Sequence, residues 1–195
     1  MYFAVNFVRF ASVMALLPLA VFGADVPLNP SGTVGFGERG LVPFMFLKGW
    51  KHLPVVGAYE ISVPGRTDFR MTDGKEKIFD GSVSLARHEG GSLKLEYVFT
   101  AAKPVEVQSF GCRMSLPHAD AEGLAWETES RSGRFARPAK GLSVASGKCT
   151  SFGFSPGAGK ERLVFFSRTP FAFTVQDNRR WRDTYEVRFY PPRMT

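Results

Sequence analysis

From Gly81 to Thr100 the side chains change character at every step. Val83 and Leu85 alternate with Ser82, Ser84 and Ala86, and Leu93, Leu95, Tyr97 and Phe99 alternate with Lys94, Glu96, Val98 and Thr100. His88-Glu89-Gly90-Gly91-Ser92 lies between the two runs. Successive strand side chains point to opposite faces, so period two on both sides of a glycine turn specifies a hairpin with one buried face. A lone hairpin is marginal in water and must pack against another layer. No sustained apolar i, i+3, i+4, i+7 stripe occurs outside the first two dozen residues, so that layer is expected to be another sheet.

Further strands are expected at Thr33–Phe36 on an edge, Leu41–Trp50, and Val55–Val63, which Pro64-Gly65 closes. Val105–Leu116 carries a phase change. Val105 and Val107 share one face and Phe110, Cys112, Met114 and Leu116 the other, which reads as a β-bulge near Ser109–Gly111. A short strand at Leu124–Thr128 precedes a basic loop with Arg131, Arg134, Arg137 and Lys140. Leu142–Ala145 is expected to pair with Thr150–Phe154 across Ser146-Gly147-Lys148. Arg162–Arg168, Phe171–Gln176 and Tyr185–Tyr190 complete the pattern, with a polar loop at Asp177–Asp183. The fold class this predicts is all-β: a two-sheet antiparallel β-sandwich, jelly-roll-like, after an N-terminal signal helix. The 19 phenylalanines would fill its interior.

Residues 1–24 read as a secretory signal peptide. Arg9 is their one charge, the apolar run Phe10–Phe22 follows, and Gly23 and Ala24 offer a small-residue cleavage site. The run falls short of the roughly 20 residues a spanning helix needs. An uncleaved anchor is the rival reading. Residues 25–40, rich in Pro and Gly, form a leader segment, and 41–195 a single β-sandwich domain. Cleavage removes Arg9 and no acid, so the net charge of +7 becomes +6. About 170 residues remain, enough for one real core. The mature protein is expected to be secreted or periplasmic, without a transmembrane segment.

Export permits a Cys112–Cys149 disulfide. Cys112 is in phase with the buried positions of its strand. Cys149 is in phase with Ser151 and Gly153, opposite to Phe152 and Phe154. A bridge and two separate thiols therefore stand as equal readings. Two cysteines and three widely spaced histidines form no zinc signature, and neither metal nor cofactor is expected.

Several residues could carry chemistry. Ser155–Lys160, SPGAGK, has a faint likeness to a phosphate loop, but Glu161 follows the lysine and a strand, not a helix, is expected next. The acid pairs Glu127/Glu129 and Asp177/Asp183 could in principle serve glycoside hydrolysis. His52, His88 and His118 are the candidate bases for a triad, and no GxSxG elbow is present. Ligand binding is expected instead around Trp181, where Asp177, Asn178 and Arg180 mix acid, amide and guanidinium beside a flat ring; Trp126 is a second platform and Trp50 a third. The basic excess fits an anionic glycan, and export argues against nucleic acid as a partner.

The hairpin Ser84–Thr100, the following Pro104-Val105-Glu106-Val107, the strand ending Ser115-Leu116-Pro117 and the final Tyr185–Tyr190 strand resemble accessory β-sandwich domains of secreted bacterial polysaccharide-degrading enzymes. The resemblance implies a noncatalytic domain that binds or accompanies carbohydrate. It carries over no functional residues. It departs from the pattern in that no catalytic module accompanies the domain. A polysaccharide-acting enzyme of glycoside hydrolase type and an envelope structural or assembly protein are the alternatives.

Overall fold

The computed structural model describes residues 26–57, 65–87, 93–160 and 162–191, together with two N-terminal strands. In chain order the strands are β1 (Phe3–Val5), β2 (Ser12–Leu17), β3 (Val34–Phe36), β4 (Arg39–Leu47), β5 (Lys51–His52), β6 (Val55–Val56), β7 (Arg66–Asp73) and β8 (Glu76–Arg87). They continue with β9 (Leu93–Ala101), β10 (Val105–Pro117), β11 (Ala125–Thr128), β12 (Ser132–Arg134), β13 (Ser143–Phe154), β14 (Leu163–Asp177) and β15 (Thr184–Tyr190). A 3-10 turn occupies Lys48–Trp50, and a short helix, α1, occupies His118–Ala121.

Two antiparallel sheets result, and neither closes into a barrel. The larger runs β3-β4-β10-β15-β14-β13-β11-β12, with β5 on β4 and β1 on β10. The smaller runs β9-β8-β7-β6. Between them lies one apolar core, to which Phe69, Val83, Leu95, Tyr97 and Phe99 contribute from the smaller sheet and Met45, Met114, Phe165, Val187 and Phe189 from the larger. The Tyr97 hydroxyl crosses the core and lies 3.0 Å from the Gly32 carbonyl and 3.2 Å from that of Leu41. A buried phenol needs such acceptors, and these two tie the layers together.

The expected hairpin is β8–β9, paired Val83↔Tyr97 and Leu85↔Leu95. Its turn, 88–92, lies outside the described residues. The expected bulge in β10 is present, with the register against β4 shifting between Val107 and Ser109. Of the expected Val55–Val63 strand, Val55–Val56 is formed and 58–63 lies outside the described residues.

Elsewhere the structure corrects the sequence reading. Ser143–Phe154 is one strand, not two joined by a turn. Gly147 lies within it, paired with Phe173, and the Arg131 guanidinium lies beside it. Phe171–Gln176 and the apolar run before it are likewise one strand. Residues 167–170 loop out between the pairs Ser151↔Phe166 and Cys149↔Phe171, which places Pro170, with no N–H to donate, where the ladder is interrupted. Two strand segments occur where the alternation reading assigns none: β7 and the start of β8, joined by a tight turn at Gly74 (φ 60) with Asp73 paired to Glu76. Ser132–Arg134, expected in a loop, pairs with β11, and the Trp126 ring takes the space beside Gly133 that a Cβ would fill.

Of the first 24 residues, the described ones, Phe3–Val5 and Ser12–Leu17, form strands where a helix is expected. β1 pairs with β10, while β2 pairs with β14 on one side and β9 on the other. A short apolar run suits a doubly flanked strand as well as a helix, because neighbours on both sides satisfy its backbone groups. Among the described residues no helix is long and apolar enough to cross a membrane.

Of the two cysteine readings, the structure has the two separate thiols, not the bridge. Both are buried, because the β13 irregularity after Cys149 lets that residue and Phe152 face inward together. The strand order β10-β15-β14-β13 separates them by three strand spacings, roughly 14 Å, twice the Cα separation a disulfide spans. Burial pushes the thiol of each up to about 12. Both cysteines should therefore be inert to a thiol reagent in the native protein and titrate as two free thiols in denaturant. A non-reducing peptide map finding them linked would contradict the strand order.

Candidate functional site

Three central strands of the larger sheet present an unusual outward face. Alternation sends Leu41 and Met45 of β4, Cys112, Met114 and Leu116 of β10, and Tyr185, Val187 and Phe189 of β15 into the core. Their neighbours Phe44, Phe46, Arg113, Glu186 and Arg188 therefore point away from it. Phe44 is nevertheless fully buried. The Arg113 and Arg188 guanidiniums lie over its ring at 5.8 and 5.7 Å, and Tyr190 packs against it edge-on at 5.8 Å. Glu186, also buried, is held between the same arginines: Oε2 lies 3.4 Å from Arg113 Nη1, and Oε1 accepts from Arg188 Nε. Guanidiniums over aromatic faces, paired to one carboxylate, form a rigid layer outside the core.

Phe46 extends this layer. Arg188 lies 5.9 Å over its ring, His52 packs on it at 5.3 Å, and Trp50 meets it edge-on at 5.8 Å. Trp50 is 60% exposed. Gly49 (φ 75) and Trp50 (φ 63) are both left-handed, and the turn is held by the Gly49 N–H donating to Gln108 Oε1 at 3.1 Å. Glycine adopts this conformation freely, whereas a tryptophan pays roughly 1–2 kcal/mol for it. The fold thus holds a strained indole out into solvent.

The electrostatics of the face are lopsided. Partial desolvation holds the His52 imidazole below its ordinary range, and the Arg113 and Arg182 charges add to this against a smaller opposing pull from Glu186. Burial lowers the Arg113 pKa, Glu186 opposes it, and Arg188 and Arg182 lower it further. Arg182 belongs to the loop between β14 and β15, so that loop reaches electrostatically over the same face.

The loop itself is braced from below. His118, buried at the start of α1, lies 2.6 Å from Asp183 Oδ1 through Nδ1 and 3.0 Å from Asp177 Oδ1 through Nε2, with its ring edge-on to Tyr185 at 4.3 Å. Asp177 accepts from the Arg179 backbone N–H at 3.0 Å and from Arg179 Nε at 2.7 Å. Burial alone would raise the Asp177 carboxyl, but these Arg179 donors, with His118, hold it below its ordinary value. Asn178 is buried, accepts from Gln176 Nε2 at 2.8 Å, and turns the chain through its backbone. Asp177 and Asn178, expected to meet a ligand, therefore hold the loop instead. Trp181, 64% exposed, and Arg180 remain at its surface.

Trp126, the second expected platform, is 6% exposed and stacks on Phe152 at 5.9 Å, with the Arg131 guanidinium over it at 5.6 Å. It is a core residue. Trp50 and Trp181 sit toward opposite ends of β10, because Leu47 pairs with Val107 while Thr184 pairs with Pro117.

The acid pairs are taken up in contacts within the fold. Glu127 is paired with Arg162, and Glu129 accepts the Thr150 and Ser151 backbone N–H groups at 2.9 and 3.0 Å. Asp177 and Asp183 converge on His118, whose two nitrogens both face carboxylates and so leave no free base. A glycosidase acid needs a raised pKa. Among the described residues the clearly shifted carboxyls, Asp177 and Glu129, both move down. SPGAGK is a surface turn leading into β14, on a cleft of about 430 Å³ that Phe36, Glu38, Arg39 and Asp120 also line.

The sequence offered little notice of the outward face. Arg113 and Arg188 are 75 positions apart, and Pro43-Phe44-Met45-Phe46 is apolar on both faces. The available signal was the single basic residue that each strand carries, Arg113 in β10 and Arg188 in β15. Compared with protein families, curated proteins and solved structures, the chain matches none.

Two outcomes follow for the brace. His118→Ala, which leaves Asp177 and Asp183 without their ring donor, should cost about 2 kcal/mol in urea denaturation. Because the Asp177 pKa is lowered by folding, its contribution is present above the unfolded value of about 4 and is lost as pH falls through the lower folded value. Asp177→Asn should therefore be less stable at neutral pH and should lose less stability on acidification than the parent.

Proposed function

We propose that this chain is an exported, noncatalytic β-sandwich that binds carbohydrate through the outward face of β4, β10 and β15. Trp50 carries the reading. A strained backbone at a bulky exposed residue persists only where its surroundings enforce it, and such strain concentrates at ligand sites. The indole presents the flat apolar surface on which the C–H face of a sugar ring stacks. Phe46 steadies it from the side, and His52 and the arginines supply donors for ring hydroxyls and substituents. Few, fixed polar groups around aromatic surface are what a ligand site requires.

Export is supported by Arg9, the short apolar run and the small residues at 23 and 24. A noncatalytic role is supported by carboxylates that are consumed in ion pairs or backbone bonds and by a buried histidine with both nitrogens engaged. The resemblance to accessory domains of polysaccharide-degrading enzymes points the same way.

Trp50→Gly separates binding from folding. Glycine takes the left-handed backbone without strain, so stability should stay within about 1 kcal/mol of the parent, while retardation in polysaccharide-containing native gels is lost. Full retardation of the variant would remove Trp50 from the site. Trp181→Ala, run alongside, reports whether the far loop contributes a second ring.

A further inference from the structure

We infer that the carbohydrate is polyanionic, carrying carboxylate or sulfate groups, because His52, Arg113, Arg188 and Arg182 gather on one aromatic face whose carboxylates are already engaged, Glu186 by Arg113 and Arg188 and Glu106 by Lys48. This rests on the reading of that face as a glycan site.

Two guanidiniums carry about ten N–H groups, and one carboxylate offers about four lone-pair positions. Arg113 and Arg188 therefore bring more donors than Glu186 can accept, and Glu186 is too buried to bond anything further. Sites for neutral sugars need acceptors as well as donors, because each hydroxyl is both. Here the acceptors are taken up, Glu186 and Glu106 in ion pairs and Gln108 Oε1 by the Gly49 N–H, while guanidinium donors remain. Arg182, exposed and with no ion pair among the described residues, adds another. Burial is the main cause of the lowered pKa of His52 and of Arg113; repulsion from neighbouring cations adds to it, and for Arg113 the Glu186 carboxylate opposes it more strongly than either cation alone. A bound carboxylate or sulfate would relieve that repulsion.

The layout also favours a chain over a single sugar. The cations extend from His52, beside Phe46 and Ser109, toward the loop that joins β15 at Thr184, opposite Pro117. A polymer with regularly spaced charges can stack on Trp50 while His52, Arg113 and Arg182 meet its anionic groups.

The test uses the full chain in native affinity gels. Polygalacturonate and alginate supply carboxylates, dextran sulfate supplies sulfate, and dextran and laminarin are neutral controls. Retardation should occur in the acidic gels and weaken with added salt. Arg182→Ala should weaken it about fivefold, whereas Arg137→Ala, on the exposed loop beyond β12 at the far edge of the sheet, should leave it unchanged. Equal retardation by neutral and acidic polymers, with Arg182→Ala silent, would overturn the polyanion assignment and leave carbohydrate binding standing. No retardation in any gel would remove both. Equal weakening by Arg137→Ala, or Trp50-independent binding that is as tight to duplex DNA or to phosphatidylglycerol vesicles, would reduce the interaction to general charge attraction and overturn the inference.

Discussion

The phenylalanine network on the inner face of the larger sheet is the contact on which the remaining structure depends. Phe152 of β13 meets Phe173 of β14 at 4.7 Å and Phe189 of β15 at 5.7 Å, Phe165 meets Phe189 at 4.6 Å, and Trp126 closes the group by stacking on Phe152. Each such ring buries some 150–250 Å² and contributes roughly 1.5–3 kcal/mol through burial. Strand alternation then leaves no choice about the other side: once these residues point inward, Glu186 and Arg188 must point outward. A one-residue slip in β15 would drive a glutamate and an arginine into the core, so the register of the core also sets the register of the candidate site.

The outward face is costly to build. Glu186 is as buried as a core residue, and desolvating an ion pair offsets much of its attraction. A hydrophobic trio at 113, 186 and 188 could cover Phe44 with less penalty. The arginines do fix the geometry, because guanidiniums laid on Phe44 and Phe46 and bonded to a buried carboxylate have little freedom left to lose when a ligand arrives. The brace beneath the neighbouring loop works similarly, with Asp177, His118, Arg179 and Tyr185 holding the segment that carries Trp181 and Arg182.

What could be read from the sequence follows from where water lies. The β8–β9 hairpin was legible because one face meets solvent and the other the core, so Lys94 and Glu96 separate Leu95 from its apolar neighbours. β7 carries the same signal in Thr67, Phe69 and Met71 between charged residues, with a Gly74 turn behind it. It is less conspicuous because Thr67 is a polar residue on the inner face. Long strands were harder, since looped-out residues at 167–170 and the irregularity after Cys149 imitate turns and reset the phase. The candidate site was the least legible. Its residues come from positions 46, 50, 52, 113, 182, 186 and 188, and only the pairing of β4, β10 and β15 makes them neighbours. His118 illustrates the same point, since an isolated histidine after a proline gives no sign that acids at 177 and 183 will close on it.

β2 has a topological role apart from its composition. It is the strand that joins the two sheets, pairing Ser12–Leu16 with β9 and Ala15–Leu17 with β14. A chain shortened beyond Leu17 would turn this interior seam into two facing rims, at 93–97 and 164–166, each with backbone N–H and C=O groups open to another strand. Residues 1–24 and the sandwich are therefore not independent parts. The same residues that read as an address occupy the sandwich's seam, and parting with them trades a closed flank for a slot one strand wide.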